Sequence, residues 1–172
     1  MVGRARRVLM FGRHLPSLVL LALQSGVLPG PAGAGCPLPR SYCAAGPNSV
    51  HPTGSFLSHQ GSASVAANDF ALVAVHLPLD QAALLFCGPT RVGFPFGDGF
   101  RCVGAPAWRL VAADTGPAGV FVCELDLTAP RGWGGSFSEG STWYFQLRYA
   151  DPAGPGGSGF NLSDGLEVRI CP

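Results

Sequence analysis

Beyond residue 34, breakers divide the chain so closely that no apolar stripe of helical period runs for about 12 residues, the length at which a helix becomes credible. With 25 Gly and 16 Pro among 172 residues, turn signals recur throughout. The 47% hydrophobic content still supplies a core, so the chain folds, and it must fold in short runs. Those runs are residues 62–65, 70–76, 83–87, 100–103, 108–112, 120–127, 142–149 and 166–171.

Three of them alternate with a period of two. Phe121, Cys123, Leu125 and Leu127 share one face, with Val120, Val122, Glu124 and Asp126 on the other. Trp143, Phe145, Leu147 and Tyr149 oppose Thr142, Tyr144, Gln146 and Arg148, and Leu166, Val168 and Ile170 oppose Glu167 and Arg169. About eight short strands separated by turns predict an all-β fold, an antiparallel β-sandwich. A barrel fits less well, because no even hairpin repeat prepares closure. Residues 35–61, rich in Pro, Gly, Ser and Ala, read as an N-terminal arm or first edge strand, and residues 152–159 read as a loop tip.

The first 34 residues read as an address. Arg4, Arg6, Arg7 and Arg13 precede a short apolar stretch from Leu15 to Leu23, and an Ala32-Gly33-Ala34 triplet follows. Charged start, short apolar run and small residues at a cleavage position describe a secretory signal peptide cut after Ala34. Pro16, Ser17, Gln24 and Ser25 leave the stretch far short of the about 20 residues a membrane span needs. A twin-arginine signal at Arg6-Arg7 matches its surroundings poorly. A lipoprotein signal ending at Cys36 is the other alternative, although Gly33 stands where such signals usually carry Leu. The expected product is one extracytoplasmic domain, residues 35–172, secreted or held at the cell surface or in the periplasm, with no transmembrane anchor.

All 11 basic residues are Arg. Without lysine there is no Walker-A phosphate clamp, no Schiff base and no S-x-x-K nucleophile. After processing, Arg40, Arg91, Arg101, Arg109, Arg131, Arg148 and Arg169 remain against 10 acidic residues and are scattered singly, so no basic stripe for nucleic acid is predicted. Cys36, Cys43, Cys87, Cys102, Cys123 and Cys171 form an even set, which in an exported chain reads as up to three disulfides. No C-x-x-C occurs and His51, His59 and His76 are near no Cys in sequence, so a zinc site is not expected, and no other cofactor is implied.

Several motifs carry a resemblance: Tyr42-Cys43, Pro47-Asn48-Ser49 and Gly61-Ser62-Ala63-Ser64-Val65-Ala66-Ala67-Asn68-Asp69; then Pro95-Phe96-Gly97-Asp98-Gly99-Phe100-Arg101-Cys102-Val103-Gly104, Leu125-Asp126-Leu127-Thr128-Ala129-Pro130 and Gly140-Ser141-Thr142-Trp143; finally Asp151-Pro152, Gly159-Phe160-Asn161-Leu162-Ser163-Asp164-Gly165 and Cys171-Pro172. Over residues 42–172 the chain resembles a secreted bacterial domain of unknown function. The resemblance implies a β-rich module of exported proteins and no activity. The chain departs from that pattern at Tyr144 (usually Asn), Arg148 (usually aromatic), Ala150 (usually Arg) and Cys87 (usually Tyr). Because Cys87 stands where the resemblance implies another residue and Cys123 reads as inward, these two are expected to bridge each other, with Cys102 the rival partner for Cys123.

Candidate chemistry is sparse. Gly97-Asp98-Gly99 and Asn161 to Gly165 read as tight turns, with a calcium site from Asp98, Asp151, Asn161 and Asp164 as the sharper alternative. The Asn161 sequon matters only in a host that glycosylates it. His76 reads as a strand-end histidine, not a triad member. Glu124 and Asp126 sit two apart on one strand face, about 6–7 Å apart by strand rise, which is in the range of a glycosidase pair but more typical of a solvated face. Trp133, in a Gly-rich loop, and Tyr144, on a polar strand face, are the candidate contact surface for an extracellular protein or carbohydrate partner. The expected function is an exported structural or binding module without catalysis, with a small secreted hydrolase as the alternative.

Overall fold

The computed structural model describes residues 35–129 and 136–172, so the signal segment and Trp133 lie outside the described residues. The described residues form eleven strands: β1 (Arg40–Cys43), β2 (Phe56–Gln60), β3 (Ala71–Val75), β4 (Ala82–Gly88), β5 (Arg91–Phe96), β6 (Gly99–Val103), β7 (Trp108–Asp114), β8 (Phe121–Glu124), β9 (Thr142–Asp151), β10 (Gly159–Leu162) and β11 (Gly165–Arg169). They form a six-stranded antiparallel sheet in the order β1-β11-β9-β4-β7, with β10 also on β9, a three-stranded sheet β2-β3-β8, and a β5-β6 hairpin.

The two larger sheets share one core, which makes the fold the expected disulfide-linked sandwich. Trp143, Phe145, Leu147 and Tyr149 of β9 all point inward, joined by Leu85 and Cys87 of β4 and Leu166 and Val168 of β11. Leu72 and Ala74 of β3 and Phe121 and Cys123 of β8 meet them from the second sheet. Each fully buried Phe or Leu contributes about 1.5–3 kcal/mol, which is how a chain of such short strands offsets its ordering entropy. No helix among the described residues is long and apolar enough to cross a membrane.

The opposite face of the six-stranded sheet is only partly covered. The β5-β6 hairpin lies over one end, where Phe86, Val103 and Leu162 form a second apolar cluster. Gln146, fully buried on β9, fastens it: its Nε2 donates to Phe100 O and Ser163 O at 2.8 Å, and its Oε1 accepts from Cys102 N at 2.9 Å.

Four details differ from the sequence reading. Residues 62–65 make only an isolated bridge, Ser64 to Cys171, and the strand of that region is β2. β8 ends at Glu124, so Asp126 lies beyond it. Residues 161–165 do not form a turn. Leu162 faces Arg148 and Leu166 faces Phe145, so β10 and β11 run along the same edge of β9 with one extra residue between them, a β-bulge. The Ser163 hydroxyl makes the bulge possible by accepting Leu147 N–H at 3.0 Å, where a ladder carbonyl would otherwise stand.

The fourth concerns the disulfides, which are Cys36–Cys171 and Cys43–Cys102, with Cα–Cα distances of 5.8 and 6.1 Å. The expected Cys87–Cys123 bond is not one of them. Cys87 and Cys123 are buried on facing sheets, where they pack as small apolar side chains among large ones. Cys102 belongs to the hairpin over the outer face and so meets β1, not Cys123.

Candidate functional site

The uncovered half of the outer sheet face holds a groove. Side chains at alternate positions of β4, β7, β9 and β10 define it: Leu84, Arg109, Arg148 and Phe160. A concavity of about 550 Å³ lined by these four continues into one of about 270 Å³ through the shared residues Leu84, Arg109 and Arg148. Phe96, Arg101 and Trp108 line the smaller part. No carboxylate lines either part.

Three of the body's scattered arginines therefore meet in one place. Arg101 is held by its Nε, which donates to Val103 O at 2.9 Å, and its guanidinium lies 5.7 Å from the Phe86 ring centre. Arg148 lies over the Phe160 ring at 4.2 Å, and Phe96 meets Phe160 edge-on at 5.3 Å. The only salt bridges of the described residues involve Arg40 and Arg91, both with Glu167. Arg109 and Arg148 are in neither of those salt bridges.

Beneath one end of the groove, motifs distant in sequence come together. The Asp98 carboxylate accepts Gly156 N–H at 3.1 Å and Ser158 N–H at 2.9 Å, closing loop 152–158 over itself. Hydrogen bonding from Ser158 leads the causes that hold its carboxyl below the usual range. Asn161, fully buried, donates to Pro47 O at 2.7 Å, and its Oδ1 accepts Leu162 N–H. A Cβ on Gly99 would collide with that Oδ1, so glycine is required there. Asn48 donates to Tyr149 OH at 2.9 Å and to His76 O at 2.8 Å. Burial pushes the Tyr149 hydroxyl up to about 12, and it stays protonated.

The other candidate residues separate. Of the calcium quartet, only Asp98 and Asp151 are brought together. Asp164 instead binds Leu57 N–H at 2.7 Å and the Ser41 hydroxyl at 2.6 Å, and the Asn161 side chain is engaged as described. Among the described residues no group of three or more His, Cys, Asp or Glu could hold a metal ion. His76 is exposed and its ring stacks on His51 at 3.9 Å. Asp126 accepts from Asn68 and from Thr128, whose hydroxyl leads the hydrogen bonds that lower its carboxyl to about 2. A glycosidase acid needs the opposite shift. Tyr144 is half-buried, packed edge-on against Tyr42 at 5.1 Å, and is not an open platform. Sequence reasoning missed the groove because its arginines are 8 and 39 residues apart in a chain read strand by strand; only the outward register of Arg148 hinted at it.

No family model, curated protein or solved structure matches the chain.

Proposed function

We propose that the chain is an exported bacterial binding module, without catalytic activity, whose outer-face groove takes an acidic carbohydrate. The observation that carries this reading is the meeting of Arg109 and Arg148 in an aromatic-lined concavity free of carboxylates, on a body whose described portion is acidic. Guanidinium forks suit carboxylate or sulfate groups, and Phe160 and Phe96 supply apolar surface for sugar rings. The resemblance to secreted bacterial modules and the two disulfides both favour an oxidising compartment, and the N-terminal segment has the make-up of a signal peptide. Removal of that segment after Ala34 would leave Gly35 as the first residue, which intact-mass analysis of exported protein reads directly.

The test is binding to acidic and neutral polysaccharides at two salt concentrations. Acidic chains should bind, and more weakly at high salt. Arg148→Ala and Arg109→Ala should each weaken binding roughly tenfold, in line with loss of a charge-assisted hydrogen bond. Equal binding of neutral chains, or unchanged binding by both variants, would sink the proposal. Hydrolysis of an ester, peptide or glycoside that disappears in His76→Ala would favour the hydrolase instead.

A further inference from the structure

Arg101, on β6, is half-buried, whereas Arg109 and Arg148 are exposed. Its Nε donates to Val103 O at 2.9 Å, its only hydrogen bond among the described residues, which fixes the plane of the guanidinium. Beneath that guanidinium lies the Phe86 ring, 5.7 Å away. Phe86 of β4 pairs with Arg109 of β7, and Leu84, two residues earlier on the same face, pairs with Arg148 of β9. Neighbouring strands are about 4.8 Å apart, so the backbones of Arg109 and Arg148 flank this floor about 10 Å apart across the sheet. Arg101 approaches the same floor from the β5-β6 hairpin. All three line the concavity of about 270 Å³, and no carboxylate does. Three like charges around one small floor repel, and the half-buried one is screened least.

Resting on the groove reading above, we infer that the acidic group bound there is a tetrahedral oxyanion, a sulfate or phosphate ester on a sugar. Arg101 is the residue that selects it over a carboxylate. A carboxylate has two oxygens in one plane, and a single guanidinium fork engages both. Arginines arriving from β7, β9 and the hairpin would share those two oxygens, and the third would meet them poorly aligned. A sulfate or phosphate ester turns three terminal oxygens outward in different directions, one for each arginine. The volume agrees. At about 30 Å³ per water, 270 Å³ holds about nine waters, which suits a substituent better than a chain. The adjoining concavity of about 550 Å³, lined by Phe160, has room for the ring that carries the substituent. Arg148, stacked on Phe160 at 4.2 Å, stands where the two parts join.

The experiment is calorimetric titration of the full exported chain with dextran carrying sulfate, phosphate or carboxymethyl groups at matched substitution, and with plain dextran. Sulfate and carboxymethyl groups each carry one charge at neutral pH, so the ratio of their affinities reports geometry and not charge density. The phosphate arm shows which ester is preferred. The inference expects at least one ester arm to bind roughly tenfold tighter than the carboxymethyl arm, about the weight of one charge-assisted hydrogen bond. Arg101→Ala should remove most of that preference while leaving carboxymethyl binding nearly unchanged. Arg101→Lys keeps the stem and the charge but not the planar fork, so it preserves the hairpin packing and should lose much of the preference too. Equal affinity for all three charged arms, or a preference that either variant keeps in full, overturns the inference and leaves the acidic-carbohydrate reading standing. Failure of every charged arm to bind better than plain dextran overturns that reading, and the inference with it.

Discussion

Replacing Asp164 by alanine should be among the most damaging single changes to this protein, for a reason visible in its contacts. The side chain is 3% exposed, sits at the bulge between β10 and β11, and accepts Leu57 N–H at 2.7 Å and the Ser41 hydroxyl at 2.6 Å. Leu57 belongs to β2 of the smaller sheet and Ser41 to β1 of the larger, so one carboxylate ties both sheets to the bulge. Each hydrogen bond contributes about 0.5–1.5 kcal/mol, rising to about 1.5–3 kcal/mol where the acceptor is ionised, and a buried donor left without a partner costs about 1–3 kcal/mol. Removing both, and leaving the Leu57 N–H buried without a partner, should cost about 3–5 kcal/mol, roughly a 10 °C fall in Tm for a domain of this size. Asp164→Asn offers an acceptor to Leu57 and a donor to Ser41, so it should keep most of that stability. The two variants also separate charge from geometry. Burial raises the Asp164 carboxyl above its ordinary 3.8, so folding favours its protonated form more than the unfolded chain does. That contribution is complete below pH 3.8 and is lost as pH rises through the folded-state value. Stability of the parent relative to Asp164→Asn should therefore fall as pH is raised from about 3 toward neutrality. Urea unfolding across that interval measures it. An alanine variant within about 1 kcal/mol of the parent, or a gap that moves the other way with pH, would refute the reasoning.

Gln146→Leu should loosen the β5-β6 hairpin by removing three hydrogen bonds, with amide exchange accelerating at Cys102, whose N–H it holds, before the β9 core responds. Paired replacement of Cys43 and Cys102 by Ser opens a link spanning 59 residues, so it should cost about 4 kcal/mol by loop-closure entropy, read from denaturant midpoints. Asp126 behaves oppositely to Asp164. Its lowered carboxyl stabilises the turn at residues 126–129 above pH 3.8, and that contribution should fade as pH falls toward 2, a loss that Asp126→Asn should not show.

What the sequence revealed was the set of strands with a buried face. β3 and β4 are legible as short apolar runs, while β8, β9 and β11 place large apolar residues at alternate positions that burial largely follows, as in Phe121 and Cys123 against Val122 and Glu124. The strands it hid have no such signature. β5 is exposed along its whole length and includes Gly93 and Pro95, because it pairs only with β6. β2 buries fully only Leu57. β10 contains Asn161, which looks like a turn residue until its amide is seen donating to Pro47 O inside the fold. In each case the deciding contact comes from a segment dozens of residues away, which local periodicity cannot register.

The cysteines and the groove were obscured for one shared reason. A period of two tells which side of its own sheet a residue occupies, but not what covers that side. Cys123 was correctly read as inward, yet Cys102 could be assigned no layer until Gln146 fixed the hairpin over the outer face and turned it toward Cys43. Arg148 was correctly read as outward, yet outward on β9 has three meanings along one strand. Tyr144 lies against Tyr42, Gln146 is sealed beneath the hairpin, and Arg148 alone opens onto the groove with Phe160 beside it. The hairpin's short reach is what divides that face, because it covers Phe86 and Leu162 and stops before Leu84 and Ala82. An extension of the β5-β6 tip over Arg148 would bury the guanidinium without a partner, a cost of several kcal/mol. The charge therefore opposes closure of this half of the sheet, and on the function proposed above an anionic ligand is what would cover it.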